Sequence, residues 1–102
     1  MPYFIFRGYD AETGAAAIRG RVRGAHRAYI RETHHSVQAV AGGMVVTDDA
    51  TKTTGTMLVL RAPDRAAVLR FLEGDPYWNA GLFARWEIDR WAWGLGEPTD
   101  FG

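Results

Sequence analysis

Two residues with the chemistry of a proton-transfer pair, His26 and Asp75, stand far apart in this sequence. His26 follows Arg19 and Arg23 at spacings of i, i+4 and i+7, in a segment with helical periodicity. An imidazole can take up and return a proton near neutral pH. A carboxylate beside it fixes the ring tautomer and stabilises the protonated ring. The pair predicts general acid–base chemistry if the fold brings both side chains together.

Asp75 also has a purely structural explanation. It precedes Pro76 in "GDPYWNAGLF", residues 74–83, and Asp followed by Pro is a preferred start for a helical turn. Gly81 would let that turn end before a last strand. The two roles are compatible, because one carboxylate can accept hydrogen bonds from a backbone N–H and an imidazole N–H together.

His26 is predicted to lie on the flank of the first helix, with guanidinium groups on its own side. The stripe expected to be buried consists of four other residues: Ile18, Val22, Ala25 and Tyr29. The alternative is an amphipathic helix whose flank is basic without a function. In the functional interpretation, Arg19 or Arg23 holds an anionic group of a substrate. The apolar walls of the pocket are expected to be Tyr77, Trp78 and Phe83.

The sequence offers little for a metal or a covalent nucleophile. It has no cysteine, which excludes disulfides, thiolate metal sites and cysteine nucleophiles. His34 and His35 are adjacent, so their side chains diverge, and no carboxylate has ligand spacing to them. The single serine, Ser36, lacks the flanking glycines of a nucleophile elbow. We therefore expect neither a metal nor a cofactor.

The composition indicates one globular domain. The chain has 102 residues, of which 47% are hydrophobic and 13% aromatic, which excludes a disordered chain. Its net charge is zero and it has no basic tail, so no nucleic-acid partner is expected. The start "MPYFIFRGYD" has no basic leader or cleavage site, and no apolar run reaches membrane-spanning length. These features predict a cytoplasmic protein without a membrane partner.

The order of predicted elements is β-α-β-β-α-β. Strands are expected over 3–9, 37–47, 55–62 and 83–93, and a first helix over 15–33. Pro63 and Asp64 open a second helix. Its buried side is predicted to be Ala67, Leu69, Phe71 and Leu72. This order predicts an α+β, ferredoxin-like fold with a four-stranded antiparallel sheet, residues 1–93 forming the domain and 94–102 a C-terminal tail.

The predicted sheet has one face that its own helices cannot cover. Strands one and three carry apolar residues on both faces, whereas two helices cover only one face. The simplest cover is a second copy of the chain, sheet against sheet, which predicts a homodimer. The alternative is that the C-terminal tail closes this face.

With these residues placed, the chain resembles the YCII-related (YciI-like) family over residues 1 to about 93. The resemblance is carried by "DPYWNAGLF" and "RVRGAHRAYI", and less strongly by "AGGMV" and "TGTMLVL". It implies a dimeric ferredoxin-like α+β barrel and a His–Asp active site on His26 and Asp75. Some relatives are dehydrochlorinases of chlorinated hydroxyhydroquinone-type compounds. The chain departs from the family in Gly43, where many relatives have Pro, and in its Trp-rich end.

The leading prediction is an enzyme that uses a His–Asp pair without a cofactor. His26 would act as general acid and base, and Asp75 would orient it. The reaction would be an elimination, such as a dehydrochlorination, or an isomerisation of a small aromatic or enolic compound, which is the chemistry of a lyase or isomerase. Two alternatives remain: a non-catalytic dimer that binds a small ligand, and an oxygen-using relative that acts on quinols.

Overall fold

Seven elements make up the fold in the computed structural model, which describes residues 1–99. The last three residues of the predicted tail lie outside this part. The longest helix has 16 residues, and no helix within 1–99 is long and apolar enough to cross a membrane. The elements are β1 (Tyr3–Asp10), α1 (Ala15–Ile30), β2 (Gln38–Val46), β3 (Thr53–Arg61), α2 (Arg65–Glu73), α3 (Pro76–Asn79) and β4 (Phe83–Trp91).

The four strands form one antiparallel sheet in the order β2-β3-β1-β4. Phe6 in the central strand β1 lies opposite Leu58 of β3 and Ile88 of β4. All three side chains are buried, and they form the row on which the helices pack. The predicted ferredoxin-like order is confirmed, with α3 as an additional short helix between α2 and β4.

Helix α2 closes the core over this row. Asp64 accepts the Ala67 N–H at 2.8 Å and so begins the helix. Four residues of the helix are buried: Ala67, Val68, Phe71 and Leu72. The predicted burial of Leu69 is wrong in part, because this residue is half-buried and Val68 takes the core position. At about 100° per residue, the four buried positions span one arc of the helix and Leu69 falls outside it.

Helix α1 turns a different face inward from the predicted one. Its buried residues are Arg19 and His26, whereas Ala25 of the predicted stripe is exposed. Polar side chains can occupy the inner face when other segments supply hydrogen-bond partners there. The helix also ends at Ile30 rather than at residue 33, and the chain then turns through positive φ at His35.

Among residues 1–99, Trp93 covers one end of the sheet face opposite the helices. Trp93 follows β4 and packs edge-on against Tyr3, with ring centroids 5.7 Å apart. Its ring also lies 4.3 Å from that of Trp91. Met57 alternates with the buried Leu58 along β3, so it lies on this open face, and it is 40% exposed. This cover comes from Trp93, at the end of the predicted last strand, so the predicted closure of the face by the tail at 94–102 stays a prediction.

Candidate active site

His26 of α1 and Asp75 at the start of α3 are in direct contact. The Nδ1 atom of His26 lies 2.8 Å from Oδ1 and 3.0 Å from Oδ2 of Asp75. Asp75 is 1% exposed and His26 is 6% exposed. The two residues are 49 positions apart in the sequence and meet at a buried junction between α1 and α3.

The local sequence around Asp75 explains how its carboxylate is held. Asp75 is the N-cap of α3, and its Oδ1 accepts the backbone N–H of Tyr77 at 3.0 Å. Pro76 occupies the first helical position, where its missing N–H costs nothing. Gly81 has a φ of +76°, and the chain then enters β4. The predicted cap is confirmed, and the same carboxylate also meets the imidazole.

The imidazole of His26 is fixed on two sides. Its ring stacks on the ring of Tyr77, with centroids 4.0 Å apart and planes inclined by 19°. An ionised carboxylate can only accept hydrogen bonds, so Nδ1 carries the proton that Asp75 accepts. In a neutral imidazole this leaves the lone pair on Nε2, which is the nitrogen available to a substrate.

Arg19 lies on the same face of α1 as His26, about two turns before it, and is also buried, with 3% exposure. Its Nε and Nη2 donate to the two carboxylate oxygens of Asp10 at 2.8 and 2.7 Å, and Nη2 also donates to Thr56 Oγ1 at 2.9 Å. Burial alone would lower the pKa of this guanidinium, but the hydrogen bonds and charge of Asp10 hold the pKa above its usual value. Its Nη1 is buried and has no hydrogen-bond partner among residues 1–99.

A half-open cleft of about 210 Å³, here called the His26 cleft, lies between α1 and the strands β2 and β3. A cavity of about 150 Å³ is enough to hold a benzene ring, so this cleft has room for a compound with one ring. Although the His26 side chain is only 8% exposed, it forms part of the cleft wall. The cleft is lined by Arg19, Arg23, His26, Arg27, Ile30, Arg31, Gly42, Gly43, Met44, Thr56, Leu58 and Tyr77.

The structure brings together most, but not all, of the residues predicted for the site. Arg19, Arg23 and Tyr77 lie with His26 in the wall of the cleft, and Asp75 lies behind it. Sequence reasoning missed Thr56 and two further arginines, Arg27 and Arg31. The i+4 repeat that these arginines continue from Arg19 and Arg23 was the signal that could have identified them.

Trp78 and Phe83 were predicted as substrate walls, and this prediction is wrong for the His26 cleft. The ring of Trp78 packs against Trp86 at 5.2 Å, and that of Phe83 packs edge-on against Phe6 at 5.4 Å. Both side chains belong to the periphery of the core. Consecutive residues of a helical turn point about 100° apart, so Tyr77 can face α1 while its neighbour Trp78 faces the sheet.

A second cleft of about 540 Å³ adjoins the first and shares Arg19 and Arg23 with it. It lies between the start of α1 and the connection from β2 to β3, where Lys52 adds another cation. His26 does not line it, so the larger cleft lies beside the His26–Asp75 pair rather than at it.

The two remaining histidines lie away from His26. His34 stacks on Tyr29 with ring centroids 3.9 Å apart, and its Nε2 lies 3.1 Å from the Tyr29 carbonyl oxygen. Within the described chain, no three His, Cys, Asp or Glu side chains group in a way that could hold a metal ion. His34 therefore acts as a packing residue of the turn after α1.

Comparison with protein families identifies the chain. The model of the YCII-related domain matches residues 1–92. The chain belongs to the YCII-related family. The resemblance found in the sequence motifs is thereby confirmed. No curated protein matches the sequence at a significant level.

Several solved structures resemble this YCII-related protein. It is similar to the 5-chloro-2-hydroxyhydroquinone dehydrochlorinase TftG from Burkholderia phenoliruptrix, solved in complex with 2,5-dihydroxybenzoquinone. The identity is 29%, the TM-score is 0.75, and the match covers 90% of this chain and 95% of the dehydrochlorinase.

Two more distant structures share the fold alone. An uncharacterised NIPSNAP domain protein from Burkholderia xenovorans is 11% identical, with a TM-score of 0.54 over 97% of this chain and all of that one. An antibiotic biosynthesis monooxygenase is 13% identical, with a TM-score of 0.51 over 93% of this chain and all of that one.

Proposed function

We propose that this YCII-related protein is an enzyme that moves a proton with His26 and uses no cofactor. The observation that carries the proposal is the contact of 2.8 Å between Nδ1 of His26 and the buried carboxylate of Asp75, at the wall of a cleft. A general base must lie within hydrogen-bond reach of its substrate and must be held in one orientation. Stacking on Tyr77 and the bond to Asp75 provide that orientation.

The reaction that needs only these groups is an elimination or an isomerisation. Nε2 of His26 accepts a proton from the substrate, and the electron pair of the broken bond forms a new double bond. In an elimination, a leaving group such as chloride then departs with its own bonding pair. In an isomerisation, His26 returns the proton to a different carbon. Asp75 stabilises the imidazolium ion that exists between these steps.

The similarity to the dehydrochlorinase supports elimination from a small hydroxylated ring compound. That protein is similar over nearly the whole of both chains. The cleft of about 210 Å³ suits a compound of this size. Arg19 and Arg23 would orient an anionic group of the substrate beside the ring of His26.

A non-catalytic ligand-binding protein is the second candidate. The observation that favours it is the small exposed fraction of the His26 side chain, 8%, which suits a fixed wall of a binding site as well as a base. In that case the histidine positions a ligand and transfers no proton.

Exchange of substrate hydrogen in D₂O distinguishes the two candidates. Small phenols, hydroxyquinols and lactones are incubated with the protein, and loss of C–H signals and release of leaving groups are followed by NMR. We expect catalysed exchange or elimination with the natural chain and a loss of about 10²-fold or more with His26→Gln. An unchanged rate with His26→Gln would contradict the proposal that His26 transfers the proton. Ligand binding that survives this substitution without any catalysed exchange would favour the binding protein.

We further propose that the protein is a homodimer that pairs the open faces of two sheets. The support is the apolar side chain of Met57 in the centre of that face, which residues 1–99 leave 40% exposed. Pairing two copies about a two-fold axis would remove this surface from water on both.

A further inference from the structure

Four arginines follow one another along α1 and its C-cap at intervals of four residues, and all of them line the His26 cleft. They are Arg19, Arg23, Arg27 and Arg31. The sequence of α1, "AAAIRGRVRGAHRAYI", contains no acidic residue. Within residues 1–99, no carboxylate is among the side chains that line the cleft.

This positive charge is only partly neutralised by the protein itself. Asp10 pairs with Arg19, but no other carboxylate within residues 1–99 forms an ion pair with an arginine of the cleft. The Arg31 guanidinium donates to the Arg27 carbonyl oxygen at 3.1 Å. Like charges at i and i+4 destabilise a helix, so this repeat lowers the stability of α1. The buried Nη1 of Arg19 has no acceptor in the part of the chain that the structure describes.

The arginines lie on both sides of His26. An α-helix rises by about 1.5 Å per residue, so the axial positions of Arg23 and Arg27 are about 6 Å apart, with His26 between them. Arg19 extends the row in one direction and Arg31 in the other. Between these cations the cleft wall is apolar, formed by Ile30, Met44 and Leu58.

We propose that the substrate carries two separate carboxylate groups joined by a small carbon framework. One carboxylate binds Arg23 and the Nη1 group of Arg19, whose other donors are held by Asp10 and Thr56. The other carboxylate binds Arg27 and Arg31, because guanidinium groups are good donors to carboxylates. The framework lies against the apolar wall, with a reacting atom at Nε2 of His26. This inference rests on the proposed function, since it takes His26 as the reacting group.

Calorimetric titration of the full chain with three ring compounds tests this assignment. Terephthalate carries two carboxylates on opposite sides of one ring, benzoate carries one, and phenyl phosphate carries its charges on a single group. We expect terephthalate to bind about tenfold or more tighter than benzoate and tighter than phenyl phosphate, because only terephthalate reaches both pairs of arginines. High salt should reduce this preference.

The double substitution Arg27→Gln and Arg31→Gln should abolish the preference, because only one pair of arginines then remains for either compound. Arg21→Gln is the matched control, since Arg21 is exposed on the same helix and does not line the cleft. Circular dichroism confirms that each variant is folded. Equal binding of terephthalate and benzoate by the natural chain would overturn the proposal whatever the variants do. So would tighter binding of phenyl phosphate, or a preference that persists in the double variant.

The variant His26→Gln separates this inference from the proposed enzyme. Terephthalate should still bind to it, because arginines hold the carboxylates, whereas catalysis should be lost. A preference for terephthalate without any His26-dependent reaction would leave the anion site in place and contradict the proposed function. A His26-dependent reaction without this preference would contradict the anion site alone.

Discussion

Asp75 holds the Nδ1 atom of His26 at 2.8 Å from one carboxylate oxygen and 3.0 Å from the other. The same carboxylate accepts the Tyr77 N–H at 3.0 Å and begins α3. One buried side chain thus supports a helix and orients an imidazole. Because the first role needs only an acceptor atom and the second needs a negative charge, substitutions can separate the two.

Asp75→Asn should impair catalysis far more than it impairs folding. Asparagine is as good an N-cap as aspartate, but its neutral amide cannot stabilise a protonated His26. We expect the proposed activity to fall by about 10²- to 10⁴-fold. Asp75→Ala should also remove the cap of α3, at a cost of about 1 kcal/mol. It should leave the Nδ1–H group of His26 without an acceptor, at a cost of about 1–3 kcal/mol. Turnover and urea denaturation measure both effects, and full activity in Asp75→Asn would contradict the role of the charge.

Asp10→Ala should destabilise the fold strongly. The Asp10 and Arg19 side chains are 6% and 3% exposed, and removing one partner of a buried pair leaves the other charge uncompensated. The expected loss is about 3–5 kcal/mol in the free energy of unfolding, measured by urea denaturation. Glu12→Ala is the control, since Glu12 is exposed nearby and should change stability by no more than about 0.5 kcal/mol. If both substitutions lower the free energy of unfolding by similar amounts, the Asp10–Arg19 ion pair does not stabilise the fold as predicted.

Gly55→Ala and Gly24→Ala should change stability in opposite directions. A methyl group on Gly55 would collide with the Gly8 carbonyl oxygen and the Arg7 guanidinium, which should cost about 1–3 kcal/mol or more. A methyl group on Gly24, in the middle of α1, meets no atom within 4 Å. There alanine should add about 0.5–1 kcal/mol, because it restricts the unfolded chain and favours the helix. Thermal unfolding of both variants checks the two signs.

Met57→Glu should convert the proposed dimer to a monomer. The substitution would bury a carboxylate on each copy in the interface between the open faces, where the two charges would repel. Analytical ultracentrifugation measures the mass in solution. Met44→Glu is the control, because Met44 is 48% exposed but lines the His26 cleft instead. A natural chain that sediments as a monomer would exclude the dimer. A Met57→Glu variant that stays dimeric would exclude the open sheet face as the dimer interface.

The turn between β2 and β3 should respond to acid at an unusually low pH. Asp49 accepts hydrogen bonds from the hydroxyls of Thr47 and Thr51, both at 2.7 Å, and these lower its pKa to about 2. The depressed pKa means that the turn is fully stabilised above the unfolded pKa, near 3.8, and loses this contribution as pH falls towards 2. An NMR titration of the carboxyl carbon measures this pKa. Thr47→Val should raise the pKa of Asp49, because it removes one of the hydrogen bonds to the carboxylate. An unchanged titration midpoint in this variant would contradict the Thr47 hydrogen bond as a cause of the low pKa.

The features of the site that the sequence predicts directly are those set by neighbouring residues in the chain. The cap at Asp75, the proline after it and the end of the turn at Gly81 follow from turn chemistry that acts within a few residues. Placing Tyr77 in the wall and Trp78 in the core depended on the direction of one short helix, which sequence spacing does not set. Arg19 and His26, on the predicted flank of α1, face inward because Asp10 and Asp75 bind them there. These two carboxylates lie outside α1, so the pattern within the helix does not reveal them.

The sequence by itself determined the order of strands and helices, the family and the residue types available for proton transfer. These follow from periodicity, turn residues and motif spacing, which act along the chain. Only the tertiary structure decided that Arg19 and His26 of α1 face inward and that His26 reaches Asp75. The physical reason is that burying a charged or polar side chain is unfavourable unless a partner meets it. Such partners come from distant segments, so the pattern of apolar residues within one helix could not reveal which face would be buried.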